Sequence, residues 1–397
     1  MRRTLGFWAL TMYGIGDILG AGVYALMGKV AGEAGPASWL AFLVAMFVAG
    51  LTGASYAELV SRYPRSGGEA AFNLEAFASP RLSFLIGWMV LCSGVVSMSA
   101  VAHACADYLA EFADIPQWPV WVTFLGLVAA INFWGIRQSS AANVVFTVIE
   151  ASGLLLVISV GLWFLAGDGA PGAGAAGAAN QPGAGGVMSG AALAFYAFIG
   201  FEDMVNVAEE VRDPVRVMPR AILATLVLAT LLYVLTTAAV VMVVPLEDLS
   251  GSAAPLALVF ARAPGAVVDA FGLVAVVATV NGILIQMIMA SRVIYGLADR
   301  GVLPAFLSRV SERTRTPGPA TALVVGLIIL LTQALPIGAL AQWTSQIVLS
   351  VFVLVNLSLI RLKLRGVRAE GPHFRVPLAV PVLGVVSSLG LFASALL

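Results

Sequence analysis

Three carboxylic acids stand inside strongly apolar stretches. Asp17 lies in Gly14-Ile15-Gly16-Asp17-Ile18-Leu19-Gly20-Ala21-Gly22, Glu150 in Phe146-Thr147-Val148-Ile149-Glu150-Ala151-Ser152-Gly153, and Glu202 in Phe198-Ile199-Gly200-Phe201-Glu202-Asp203. An ionised carboxylate at mid-bilayer costs about 2.5–3.5 kcal/mol on insertion scales, so each must be paired, protonated or in a water-filled cavity. Asp17 and Glu202 also sit beside glycines, which weaken a helix. A helix broken inside a membrane exposes N–H groups at its new N-terminus and C=O groups at its new C-terminus. Such a break persists only where partners exist. A small zwitterion fits both ends. Its carboxylate can accept from N–H groups around Gly20, Ala21 and Gly22, aided by the helix dipole. Its ammonium can donate to carbonyls around Tyr13, Gly14 and Gly16, because glycine leaves the backbone open to a ligand. Close helix packing through small residues is the competing use of these glycines. Asp17 within the cluster and a second interruption at Gly200 favour the ligand.

Other residues bear on that chemistry. Asp17 and Glu202 serve either as counter-charges for an amine or as proton carriers, and Glu150 either senses protons or pairs with another span. Tyr196 and Phe198 precede Glu202, where a ring can attract an ammonium or guanidinium or simply pack; Phe201 is placed to cover the site as a gate. Asp203, next to Glu202, points elsewhere on the helix. Gln286 either faces the substrate or bonds a neighbouring helix. Glu58 pairs with Arg62 four residues on, and His103 makes one structural hydrogen bond. On the run that carries Gln286 the only hydroxyls are Thr279 and Ser291. An all-oxygen sodium site is therefore less attractive than proton coupling or exchange. No metal or cofactor is expected.

The elements that must position these groups follow from composition. Of 397 residues, 60% are hydrophobic and 11% charged, with mean hydropathy +0.98. Apolar runs of about 20 residues read as membrane-spanning helices. Eleven occur, at about 7–28, 38–60, 83–110, 118–136, 140–166, 187–208, 220–244, 265–292, 319–335, 338–361 and 376–397. They do not alternate apolar and polar residues as barrel strands do, which leaves helices. The formal net charge is zero, so no bulk field draws nucleic acid. Basic residues cluster in alternate loops: Arg2 and Arg3; Arg62, Arg65 and Arg81; Arg137; Arg212, Arg216 and Arg220; Arg300, Arg309, Arg313 and Arg315; then Arg361 to Arg375. The positive-inside rule puts the N-terminus in the cytoplasm of a multi-pass inner-membrane protein. Cys92 and Cys105 share one span and cannot bridge each other.

The Gly-Ala-Pro segment 167–187 reads as an extracytoplasmic linker. It divides spans 1–5 (1–166) from spans 6–10 (188–362), with an eleventh helix over 373–397. Each half opens with a polar, glycine-containing span. Five spans is an odd number, so the halves enter the membrane from opposite sides, as inverted repeats do. Two further segments, after Pro64-Arg65-Ser66-Gly67-Gly68-Glu69 and over Ala298–Ser311, read as interfacial helices. Pro214 and Pro219, within the charged stretch 208–220, end one helix and start the next.

These pieces together resemble the amino acid–polyamine–organocation transporters. The resemblance rests on Gly14–Tyr24, on Pro64–Phe72, on the stretch from Phe195 to Ala221 containing AEEVRDPVRVMPRA, and on Ala290–Phe306. It covers nearly the whole chain in order. It implies the five-plus-five inverted-repeat fold named after a bacterial leucine transporter, with helices 1 and 6 discontinuous, and alternating access. It implies a substrate carboxylate at Gly20, Ala21 and Gly22, and an aromatic-plus-acid wall at Tyr196, Phe198, Phe201 and Glu202. The expected substrate is an amino acid, carried by proton symport or exchange; a cationic amino acid or polyamine antiporter is the alternative, and a substrate sensor without transport is the reading from another class. Three departures stand out: Asp17 where many relatives carry a small or neutral polar residue, Glu150 near a position where some have lysine, and eleven spans where relatives usually have twelve. With two histidines and no HExxH or GxSxG motif, an intramembrane enzyme has little support. The few isolated acids likewise do not line a channel.

Overall fold

The computed structural model describes residues 5–65, 67–110, 116–134, 136–166, 183–260, 265–299, 301–311, 316–367 and 371–395. Most of the linker, and Arg2, Arg3, Arg300, Arg313, Arg315 and Arg368, lie outside them. The helices are α1 (Phe7–Leu19), α2 (Ala21–Ala34), α3 (Ser38–Arg62), α4 (Gly68–Phe77), α5 (Pro80–Ala110), α6 (Gln117–Trp134), α7 (Ile136–Ala166), α8 (Ala184–Phe195), α9 (Pro214–Val243), α10 (Leu246–Gly251), α11 (Gly265–Asp299), α12 (Gly318–Ala334), α13 (Ile337–Leu364) and α14 (Ala379–Ser394). Among the described residues the only β pairing is a lone parallel bridge, Leu5 with Val211.

Each of the eleven apolar runs is mainly helical over its described residues, broken at Gly20 in the first and at Ile199 and Gly200 in the sixth, and starting only at Ala379 in the last. Among the described residues, seven helical stretches are long and apolar enough to cross a membrane, and four more are apolar but shorter. One of the short ones, α1, is short because its span is interrupted at Gly20 and continues as α2. Large apolar side chains point outward: Trp8, Leu155, Trp163, Val227, Leu231, Leu330 and Val386 are among the exposed. Water would penalise such a surface, whereas hydrocarbon solvates it. The chain is an all-α membrane protein.

The two interrupted spans run through the middle. α1 packs on α7, α9 and α11, and on the segment after α8, while α2 packs on α8. α3 lies along α9, and α5 packs between α11 and α13. α4, a ten-residue helix outside the spans, packs on α5 and α13.

Two expected elements differ. Residues 298–311 do not form a separate interfacial helix: α11 runs on to Asp299, and only Ala305–Ser308 makes a 3-10 turn. Nor does Pro219 start a helix, since α9 begins at Pro214 and continues through it. Pro214 occupies the first helical position, where a missing N–H costs nothing.

Candidate functional site

The first interruption is one residue wide. Gly20 ends α1 and caps α2 with φ −27° and ψ −141°. The second is longer. After α8 comes a 3-10 turn, Tyr196–Phe198; Ile199 is extended, Gly200 has φ 128°, and a 3-10 helix runs from Phe201 to Glu210. Left-handed φ values favour glycine, and Gly200 meets that need.

The two interruptions touch. A Cβ on Gly22 would lie 2.6 Å from Ala197 Cα, and one on Gly200 would lie 2.9 Å from the Asp17 carbonyl carbon. The hydroxyl of Tyr233, on α9, reaches Ile18 O at 2.7 Å and Ala197 O at 2.9 Å, one carbonyl from each interruption. One carbonyl at each break thus lies within reach of the same buried phenol, which has one O–H proton to share between them.

Acids gather at this joint. The Asp17 carboxylate is 4% exposed, and neither of its oxygens has a protein donor. The group within its hydrogen-bonding reach is the carboxyl of Asp203. A bond between two carboxyls exists only when one carries a proton. Asp203 also accepts from Asn206 Nδ2 at 3.4 Å, while Glu202 Oε2 turns back to accept from Gly200 N at 2.9 Å.

Next to this pair is an enclosed cavity of about 30 Å³, lined by Glu69, Ser97, Glu202, Asp203, Gln286 and Phe352 among others. That volume holds a few water molecules at most. Gln286 Oε1 is buried there without a partner. Glu69 comes from α4, is 3% exposed, and accepts from the Tyr56 hydroxyl at 3.0 Å. Burial pushes its carboxyl up to about 7, and the nearby Asp203 adds to the rise, against the Tyr56 hydrogen bond that favours the ionised form.

The expected site residues fall into three groups. Glu202 and Gln286 line the cavity, and the Tyr196 hydroxyl bonds Ser97 of its wall at 3.1 Å. Asp17, Gly20, Ala21 and Gly22 sit at the first interruption, with Gly22 covered by Ala197. Phe198 and Phe201 are fully buried in an aromatic cluster, Phe198 against Tyr233 and Phe201 between Tyr56 and Phe352.

Gly16 does not present a free carbonyl. Its oxygen accepts from Asn281 Nδ2 at 3.3 Å, and a Cβ there would lie 2.0 Å from Thr147 Oγ1. In this arrangement Gly16 lets α1 pack closely on α7 and α11, and the Asn281 amide is bonded to the carbonyl expected to meet a ligand amine. Glu150 is not among the residues of the cavity wall; its carboxylate is next to the Asn281 amide. The structural expectations hold. Glu58 pairs with Arg62, and also with Lys363 at 2.7 Å. His103 Nε2 meets Leu335 O at 3.0 Å, and both cysteines are free.

Four residues at or beside the joint were not singled out from sequence: Tyr233, Asp203 as a partner of Asp17, Glu69 and Asn281. Glu69 follows two glycines with positive φ, Gly67 and Gly68, which turn the chain into α4 and bury the acid. An acid directly after a glycine pair was the available signal.

The model of a family described as amino acid permease matches residues 5–397. The chain is 29% identical to the branched-chain amino acid permease of Bacillus subtilis, over 96% of this chain and 85% of that protein. It is 28% identical to a methylthioribose transporter of the same organism, over 98% and 87%. It is 30% identical to human cationic amino acid transporter 4, over 95% of this chain and 63% of that longer protein.

Proposed function

The chain belongs to the amino acid permease family, and from that premise we propose that it is a secondary active transporter that moves an amino acid by alternating access. The observation that carries this reading is the contact of the two interruptions, Gly22 on Ala197 and Asp17 on Gly200, with Tyr233 bonded to both. Peptide groups freed at mid-membrane are where a zwitterion exchanges its hydration for fixed dipoles. In this closed form the backbone and Tyr233 satisfy one another, and the cavity is too small for a substrate. Separation of the interruptions exposes Gly20, Ala21 and Gly22 to a carboxylate and Asp17 to an amine.

In this proposal the repeats are 1–166 and 188–362, related by inversion, with the N-terminus in the cytoplasm. Coupling is to protons, by symport or exchange. Asp17 and Asp203 share a proton when closed, and an incoming ammonium replaces it. Glu202 and Glu150 are the further proton-carrying candidates. A second reading, exchange of cationic amino acids or polyamines, is favoured by one observation: the cavity wall carries Glu69, Glu202 and Asp203 and no lysine or arginine. Relatives named for branched-chain and for cationic amino acids support either.

A thermal-shift screen of the purified protein against the twenty amino acids and common polyamines tests this. A ligand that binds only the folded state at a hundredfold excess over its Kd stabilises it by about 2.7 kcal/mol. Stabilisation by one chemical group of amino acids is expected. Stabilisation confined to diamines favours the exchange reading, and no shift with any amine contradicts both.

A further inference from the structure

A wider cleft than the cavity at the interruptions lies elsewhere on the molecule. It has a volume of about 830 Å³ and lies where the end of α3, the start of α9 and the segment before α14 meet. Among the described residues its polar wall holds Arg62, Arg216, Arg220 and His373, opposed by the carboxylate of Asp213. These groups differ in how far they are committed. Arg62 is paired with Glu58 and donates to Val367 O at 3.3 Å. Arg216 approaches Asp213 only at 3.8 Å, with both side chains largely exposed, so that pair contributes little. His373 accepts from Arg375 Nε at 3.2 Å. Arg220 is exposed and forms no ion pair among the described residues. Among the described residues the uncommitted charge in the cleft is therefore positive and belongs to Arg216 and Arg220.

The rest of the wall is apolar. Val215, Pro219 and Leu223 come from α9, and Pro64, Pro372 and Phe374 from the other two walls. The apolar surface does not stop at the rim. At the helical period, Leu223, Val227 and Leu231 continue the face of α9 that carries Arg216 and Arg220. Val227 is 58% exposed and Leu231 54% exposed. From Leu223 to Leu231 the helix rises about 12 Å, most of one leaflet's hydrocarbon depth. A charged mouth that opens onto an uncovered apolar stripe running into the membrane has the shape of one molecule, a headgroup with a chain attached. A water-soluble anion would use the arginines and leave the stripe bare.

We propose that this cleft binds an anionic phospholipid, its phosphate between Arg216 and Arg220 and an acyl chain along Leu223, Val227 and Leu231. The site lies on the outside of the bundle and differs from the joint of α1 and the segment after α8 in every residue named. Its occupant would nevertheless bear on that joint. α9 carries both the arginines and Tyr233, and just before α9 the Glu210 carbonyl accepts from Leu5 N and Arg212 N donates to the Leu5 carbonyl. A lipid seated at the start of α9 would hold the helix that ties the two interruptions together.

The test is lipid retention by the intact protein. Purified protein in nanodiscs of equal phosphatidylglycerol and phosphatidylcholine is extracted, and the lipid that remains bound is counted by native mass spectrometry. The wild type is expected to keep one phosphatidylglycerol in preference to phosphatidylcholine. The Arg216→Ala/Arg220→Ala variant is expected to lose about 30-fold in affinity for it, the loss of two near-surface charge contacts. Arg309→Ala, an exposed arginine elsewhere, serves as the control and should match the wild type. Inorganic phosphate at millimolar concentration should not displace the lipid. Equal retention by the double variant, equal retention of both lipids, or displacement by phosphate alone would each overturn the proposal. Both arginines are exposed, so the double variant should fold, and an unchanged thermal midpoint in phosphatidylcholine alone confirms that it has.

Discussion

Glu69 shows at a single residue how burial becomes pH dependence. Its carboxyl is pushed up to about 7, whereas an unfolded chain would ionise it near 4.5. The folded state therefore holds a proton that the unfolded state releases, so between those values stability falls as pH rises. The contribution is fully present below about 4.5, is lost progressively up to 7, and is flat above. A shift of this size corresponds to about 3 kcal/mol across the window. Glu69→Gln removes the ionisable group and keeps an acceptor for the Tyr56 hydroxyl. The expected outcome is that the thermal midpoint of the wild type drops between pH 5 and 7.5 relative to Glu69→Gln. Parallel curves for the two proteins would show that Glu69 carries no proton there. This residue was not read from sequence because its burial depends on α4 folding back on α5 and α13, a long-range packing event. Asp203 is a related case. Adjacent residues on a helix are expected to diverge, yet Asp203 lines the same cavity as Glu202 and its carboxyl also meets Asp17.

The spans were legible as elements because a bilayer imposes a length, and about 20 apolar residues in a row meet it. The existence of both interruptions was legible too, from glycine beside a membrane-embedded acid. Their positions were less so. Four glycines lie between Gly14 and Gly22, yet α1 stays helical through Gly14 and Gly16 and yields only at Gly20. What decides is the neighbours: Met204 and Thr225 crowd Gly14, and Thr147 and Asn281 crowd Gly16, so these glycines permit close approach of helices. Tyr233 was invisible for the same reason. In an apolar run it reads as packing, and its hydroxyl partners come from two segments far away in sequence. Tyr233→Phe removes the single O–H that two buried carbonyls share, a loss of about 1–3 kcal/mol. The expected result is a lower thermal midpoint together with faster hydrogen exchange at Ala21–Val23 and Ile199–Phe201. A lower midpoint with unchanged exchange at both segments would mean that the phenol does not hold the joint.

At the scale of the whole molecule, family membership and architecture agree, and the remaining matter is what the closed joint does. The two interruptions, the acid pair Asp17–Asp203 and the small cavity beside them describe a form in which the protein satisfies its own backbone. A carrier must also open, and it must do so toward each side in turn. A sensor of the same architecture would bind and stop. Counterflow in proteoliposomes separates the two most directly: vesicles loaded with an unlabelled amino acid that stabilises the protein are diluted into a trace of the labelled compound. The account predicts transient accumulation of label above equilibrium in the wild type and its loss in Asp17→Asn. A wild type that binds the amino acid yet shows no accumulation, or an Asp17→Asn variant that accumulates label as the wild type does, would contradict it.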